Sequence, residues 1–456
     1  MKTWIEANRS LALAYCLFAL VALVIVLLRL PAMMGADEPN HLRRANLLAE
    51  GNVVGRRVQV GQVLTSGGPE ENTLVPVEQI YSPMEFHPEV KLSQVDVAKG
   101  ASIKWGQNTS DQSFENTAIY PPFFYLPSGI SILIGKLMGL TIVQTLSLAR
   151  AGGALACIAV GFFALRLAGQ SAAYLFTLLL LPMALVLGDT VTQDGLLLAT
   201  SALASGLMTR SVMDQRSMTN AELWGAAICL ALIGMAKPPY VLLSLLLLTT
   251  NVEKPGLKRV ATVVALIGGL AWHALMAVLA QTPMRRDGVQ LDSGAQIAFL
   301  LHHPAAIASV AFQTLRHGGA EFVAQFVGEL GWLDTPLPKL YYLAALVALV
   351  VSAVLIWSVD WKAEKRRSLS SLIILGATKL AIFAALYIAY TPVGAMQVEG
   401  VQGRYFLPVA AFFPLALVGS RTIEPSRMHK IVLGFLVAFP LVTLPVLYRT
   451  LALRYG

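Results

Sequence analysis

Residues 11–30 read LALAYCLFALVALVIVLLRL, and after Pro-Ala-Met-Met the chain continues at residues 35–44 as GADEPNHLRR. The first stretch carries one charge, Arg29. A helix of that length, rising about 1.5 Å per residue, matches the roughly 30 Å hydrocarbon core of a bilayer. The second stretch crowds two acids, a histidine and two arginines into the place where the chain leaves that core. A membrane span followed at once by a dense polar segment sets the frame for the rest of the chain.

The composition extends that reading. Of 456 residues 56% are hydrophobic and 13% charged, whereas soluble domains carry about 25% charge. Mean hydropathy is +0.65. Apolar runs of span length recur, which defines an all-α polytopic membrane protein and not a barrel of short alternating strands. Residues 11–30 exceed a secretory h-region, and Met34-Gly35-Ala36 is a poor cleavage site, so the first span is expected to stay uncleaved. The formal net charge is +8. Its lysines and arginines gather in short loops, as orientation signals do, and do not point to nucleic acid. Cys16, Cys157 and Cys229 each sit inside an apolar run, so neither a disulfide nor a zinc site is expected.

Hydropathy places further spans at residues 142–167, 172–188, 195–208, 223–235, 240–250, 260–279, 340–357, 369–390, 406–419 and 431–447, about eleven in all. Residues 120–138 begin Tyr-Pro-Pro-Phe-Phe-Tyr-Leu-Pro, and three early prolines favour a helix lying in the outer interface. With that segment on the surface, Arg166, Arg210/Arg216, Lys254/Lys258/Arg259, Lys362–Arg367 and residues 421–430 all fall on the cytoplasmic side, as does the N-terminus with Lys2 and Arg9. The expected organisation is one membrane domain, residues 1–456, whose first extracytoplasmic loop, residues 31–139, carries amphipathic helices. The cytoplasmic loops are too short to fold a nucleotide-binding domain, and no phosphate loop or dinucleotide fingerprint occurs.

The unusual polar motifs fall on the outer side. Asp37-Glu38-Pro39 should open a helix ending near Gly51, with His41 one turn from Asp37. Asp37 as a plain N-cap with Glu38 solvated competes with a catalytic reading, in which a carboxylate takes a hydroxyl proton while Arg43 and Arg44 clamp a phosphate. In QVEGVQGRYFLP, Gln402, Arg404 and Tyr405 stand at the mouth of an apolar segment; Arg404 snorkels, pairs with Glu399 or meets an anion. Glu329, Trp332 and Asp334 sit among turn residues, where they anchor the interface or bind an acceptor. Asp194 caps a helix or touches substrate; Lys237, before two prolines and Tyr240, snorkels or meets a phosphate. Tyr120 and Tyr125 complete the candidate substrate contacts. Lys379 falls near the middle of a span, a functional signal of its own. Asp37, Glu38 and His41 offer oxygen and nitrogen to a divalent cation without completing a shell, so no metal site and no cofactor are assigned.

Six stretches, ADEPNHLRRANLLAEG, YPPFFYLP, TQDGL, AKPPY, GWLDTPLP and VQGRYFLP, occur in order along nearly the whole chain. As an ordered set they resemble domain of unknown function 2142, a family of bacterial polytopic membrane proteins that itself looks like a branch of the GT-C glycosyltransferases. The resemblance implies a GT-C-like bundle in the bacterial inner membrane, a polyprenyl-phosphate-linked sugar as donor, and a glycan or glycolipid acceptor met outside. It would carry the catalytic role onto Asp37, with Glu38 as the neighbouring alternative; Arg404 is chosen for the donor phosphate by position and chemistry. Many GT-C proteins carry a large C-terminal outer domain, whereas this chain ends soon after its last span, which would leave acceptor recognition to residues 52–116 or to a partner.

The resulting expectation is an inverting glycosyltransferase modifying surface polysaccharide, with Asp37 as general base. A lipid-linked oligosaccharide polymerase or ligase shares the same phosphate problem and is poorly separated by sequence. A flippase or transporter of lipid-linked substrate would need polar groups through the mid-span region, and Lys379 is the main feature on its side.

Overall fold

The computed structural model describes residues 2–286, 289–420 and 427–456. Residues 421–426 of the expected basic cluster, and the Lys2 side chain, lie outside the described residues. Six described helices are long and apolar enough to cross a bilayer: Asn8–Arg29, Ile142–Leu167, Asp194–Met213, Pro255–Leu279, Trp361–Ala389 and Ile431–Tyr455. Two bent pairs, Gly169–Leu179 with Pro182–Asp189 (77°) and Ser293–His302 with Ala305–Val327 (112°), bring the number to eight if each is one span.

Several expected spans differ in form. Residues 172–188 break where Pro182 starts a new helix, because proline cannot donate to the preceding turn. The stretches at 223–235, 240–250 and 340–357 become Asn220–Ala236, Pro238–Thr249 and Lys339–Leu355, all shorter than the other spans. Residues 406–419 do not form one helix: Pro408 and Pro414 start the short turns Leu407–Ala410 and Pro414–Leu417. The bent pair Ser293–Val327 was not expected at all; His303-Pro304 interrupts its periodicity.

Burial sorts the helices into centre and periphery. Ala172–Leu179 and Pro182–Asp189 are buried on every side, and 78% of the Asp194–Met213 window is buried. Helices apolar all round and buried all round belong to the middle of a bundle. In Pro255–Leu279 and Trp361–Ala389 only 22% is buried, and the remaining apolar side chains form a lipid-facing surface. Pro122–Leu137 is too short to span and exposes Ile130, Leu133, Ile134 and Leu137 along one side while Gly129 packs against the Ala45 carbonyl. That is the form expected of an interfacial helix.

The loop after the first span holds an unexpected three-stranded antiparallel sheet of Arg56–Val60, Val63–Glu71 and Thr109–Ser113. Gly61, at φ 59°, turns the first hairpin. A Cβ at Gly67 would lie 1.9 Å from the Gln112 carbonyl oxygen, so only glycine fits between the strands. Arg43 of the helix Glu38–Ala49 pairs with Glu70 of this sheet (2.5 Å) and with Glu78 of the following helix, Leu74–Tyr81.

Candidate active site

Four chain segments converge at one end of the bundle: the turn at Asp37, the start of Asp194–Met213, the break at Lys237, and the turn Gly403–Phe406. Together they line a cavity of about 390 Å³.

Asp37 holds the N-cap position of Glu38–Ala49 but makes no capping hydrogen bond. Its backbone is left-handed, at φ 57° and ψ 14°. Asp tolerates that conformation better than most residues. The side chain is directed instead to Arg404, 367 residues away, with which it forms a close ion pair. The Arg404 side chain is 2% exposed and that of Asp37 30%, so the carboxylate is the accessible member of the pair. Arg404 Nε also donates to Gln402 Oε1 at 2.7 Å, and the guanidinium lies 3.9 Å from Asp194. Asp194 in turn stands 3.7 Å from Lys237. The Lys237 ammonium sits 3.6 Å from the Tyr405 ring centroid, and the Tyr240 hydroxyl donates to the Tyr405 carbonyl at 2.9 Å. Glu399, the other partner considered for Arg404, pairs with Arg286 at 2.5 Å.

The charges set the protonation of this cluster. Burial raises the Asp37 carboxyl, but the Arg404 guanidinium and His41 together lower it, and the group ends below its ordinary value. Burial pushes His41 down to about 4 against the pull of Asp194 and Asp37, so the ring is neutral at pH 7. Burial likewise pushes Lys237 down to about 8 against the pull of Asp194. His41 Nδ1 lies 2.5 Å from the Tyr125 hydroxyl, and its ring stacks on Tyr120 and Tyr125, with centroids 6.1 and 5.7 Å away.

Among the residues singled out from sequence, Asp37, His41, Tyr120, Asp194, Lys237, Tyr240, Gln402, Arg404 and Tyr405 line the cavity. Tyr125 stands behind His41. The others are placed elsewhere. Glu38 is neither solvated nor open to the cavity: fully buried, it accepts from Arg150 at 2.8 and 2.6 Å and from the Gly35 and Val191 amides, both at 3.1 Å. Arg43 is consumed by Glu70 and Glu78; Arg44 is fully buried and donates to the Tyr120 and Val53 carbonyls. Trp332 donates to the Met33 carbonyl at 3.1 Å, Asp334 pairs with Arg454 at 3.3 Å, and Glu329 sits in a two-residue ladder against Pro336.

Glu115, Asn116, Thr117, Gln281 and Thr282 also stand in the cavity wall and were not legible as site residues in the sequence. They lie in loops whose polarity is ordinary for loops, and no local spacing marks them. Arg150, the partner of Glu38, was legible as an arginine inside an apolar run, a signal equal in kind to Lys379. No group of three or more His, Cys, Asp or Glu among the described residues has metal-binding geometry.

Fold and site together are those of a polytopic membrane protein with a charged cavity at one end of its bundle. The chain belongs to the DUF2142 family of predicted membrane proteins, whose model matches residues 17–413 and so spans every segment that lines the cavity. No curated protein matches it. Among solved structures it is similar to ArnT from Cupriavidus metallidurans in the apo state, at 16% identity, covering 96% of this chain and 76% of that one with a TM-score of 0.36. A likeness that distant carries no part of the functional argument.

Proposed function

We propose that the chain is an inverting membrane glycosyltransferase that moves a sugar from a polyprenyl-phosphate donor to an extracytoplasmic glycan or glycolipid. One observation carries the reading: an accessible, ionised carboxylate, Asp37, held beside buried Arg404 and near Lys237 in a cavity where helices meet the interface. A base, two cations and a membrane-bordered pocket are what transfer from a lipid phosphate requires.

Asp37 takes the proton of the acceptor hydroxyl as that oxygen bonds to the anomeric carbon. The bond from that carbon to the phosphate oxygen breaks from the opposite side, which inverts the centre. The electron pair leaves on the lipid phosphate, and the proton stays on Asp37. A phosphate is a good leaving group, so a second carboxylic acid is not needed, in contrast to glycoside hydrolysis. Arg404 and Lys237 balance the new charge, and fixed cations in a water-poor site do so strongly. The resting pair has a further consequence. When donor phosphate engages Arg404, Asp37 loses its strongest opposing charge and becomes a better base. Donor binding would thus switch on the base.

Asp194 orients Lys237 and Arg404 rather than meeting the acceptor, because its near neighbours are those two cations. The test is sugar transfer by the purified protein in lipid, with Asp37→Asn in parallel. Movement of intact lipid-linked sugar between leaflets, with no new glycosidic bond, would replace this reading by transport; joining of whole oligosaccharides would replace it by a polymerase or ligase.

A further inference from the structure

A second space, of about 500 Å³, adjoins the Asp37 cavity: Gln281, Thr282, Met284 and Ala389 line both. It lies where Pro255–Leu279 and Trp361–Ala389 end and Ser293–His302 begins. Gln281, Met284, Asp292 and Ser293 in its wall are exposed, so the joined space runs from the protein surface to Asp37.

The three-stranded sheet builds the junction. Arg57 of its first strand donates to the Ala277 and Gln281 carbonyls at 2.8 and 3.1 Å. Ser66 Oγ of the second strand donates to the Ala280 carbonyl at 2.8 Å and accepts from the Thr282 amide at 3.0 Å. The third strand ends at Ser113, and the chain passes within two residues into Glu115, Asn116 and Thr117 of the cavity wall. Two stretches of that wall, 115–117 and 281–282, are thus tied to one sheet.

The polar groups here differ in kind from those around Asp37. Glu115 Oε2 and Asn116 Oδ1 are buried acceptors with no donor among the described residues. Such groups are rare in folded proteins, and a ligand rich in donors would satisfy them. Asp292, which caps Ser293–His302 through the Ala295 amide, adds a second acid, and no cation lines the second space among the described residues. Burial raises the Glu115 carboxyl, and Arg285 opposes the rise. Arg285 is exposed and Arg286 pairs with Glu399; neither lines either space. The cations of the joined space, Arg404 and Lys237, are committed to the leaving phosphate in the proposed reaction. An anionic acceptor would meet acids there and no free cation, whereas hydroxyls would meet acceptors.

We propose that the joined space is the acceptor subsite and takes an uncharged, hydroxyl-rich sugar, with hydroxyls donating to Glu115 and Asn116 and a further one reaching Asp37. Its role as acceptor rests on the transferase reading; the binding of a neutral sugar there does not.

The test is saturation-transfer NMR of the full chain in lipid nanodiscs, with neutral hexose glycosides and disaccharides as probes and the matching uronates as acidic counterparts. The pH is held at about 8, above the ordinary carboxylate range. Neutral probes should bind and uronates should not. Glu115→Met and Asn116→Leu, which keep the shape and remove the acceptor, should each weaken neutral-sugar binding by about tenfold. Glu115→Gln keeps an acceptor, removes the charge and leaves Arg285 unopposed, so it should retain the neutral probes and admit the uronates. Loss of fold would not produce that change of selectivity. No donor is present, so binding without any transfer would leave this site standing and remove the transferase reading; transfer without neutral-sugar binding would do the reverse. Preference for the uronates in the native chain, no binding of any neutral probe, or neutral binding insensitive to both Glu115→Met and Asn116→Leu would each overturn the proposal.

Discussion

Asp37 shows how a single backbone conformation decides what a side chain can do. In ordinary N-cap geometry its carboxylate would close on the amides of its own helix. At φ 57° it turns away and meets Arg404. Non-glycine residues in this region carry strain of about 1–3 kcal/mol, of a kind that clusters at functional sites. Asn shares the tolerance of Asp for it, so Asp37→Asn should fold normally while losing a general base, a loss of about 10²–10⁴-fold in transfer. Asp37→Gly relieves the backbone strain but leaves the buried Arg404 guanidinium without its carboxylate, so it should be inactive and no more thermally stable than the native chain, which thermal melting and a transfer assay would show together. The pH dependence follows from its neighbour. Lys237, pushed down to about 8, is charged below that pH and loses its charge as pH rises through it. If it holds the leaving phosphate, transfer should decline above about pH 8, and Lys237→Arg should flatten that limb; an unchanged alkaline limb would remove Lys237 from the phosphate. At this scale the sequence was informative where a polar residue stood out against apolar surroundings, as at Asp37, Asp194, Lys237 and Arg404. It misled at Glu38, Arg43 and Arg44, because adjacency in the chain says nothing about partners. Arg150 lies 112 residues from Glu38, and Glu70 lies 27 from Arg43.

The element scale explains why those neighbours are structural. Glu38 and Arg150 bind the first helix of the loop after the first span to the span Ile142–Leu167, and Arg150 also donates to the Leu30 and Pro31 carbonyls at 2.8 Å. Removing one member of a buried pair leaves the other charge unsatisfied, at a cost of about 3–5 kcal/mol. Glu38→Ala or Arg150→Met should therefore lower the thermal midpoint sharply, and whatever protein remains folded should keep its donor affinity. A normal midpoint with abolished transfer would move Glu38 into the chemistry. Apolar periodicity found the long helices, since runs such as residues 11–30 admit no other structure in a bilayer. It failed where proline ends a helix inside an apolar run, as at Pro182, Pro408 and Pro414. The three-stranded sheet escaped because Val63–Glu71 reads VLTSGGPEE, whose glycines and proline mask any two-residue alternation.

Across the whole molecule, the buried helices Ala172–Leu179, Pro182–Asp189 and Asp194–Met213 form a centre around which the other segments bring their ends to one cavity. Clustered positive charge in the loops at the far end, between Lys254 and Arg259 and between Lys362 and Arg367, predicts that the cavity faces away from the cytoplasm. Single cysteines replacing Asn116, at the cavity, and Lys362, at the opposite end, should react with an impermeant maleimide from opposite sides of sealed vesicles. Labelling of both from one side would overturn that orientation. The convergence of Asp37 and Arg404 was not readable from the sequence, since no local pattern joins residues so far apart; it emerges only when the bundle is assembled. The central claim rests on that convergence. Its most direct test gives the purified chain in lipid a panel of radiolabelled polyprenyl-phosphate sugars with host glycolipid, comparing native protein with Asp37→Asn. Label should pass to the glycolipid with the native protein and fall by at least about 10²-fold in the variant. Equal transfer by both would contradict it.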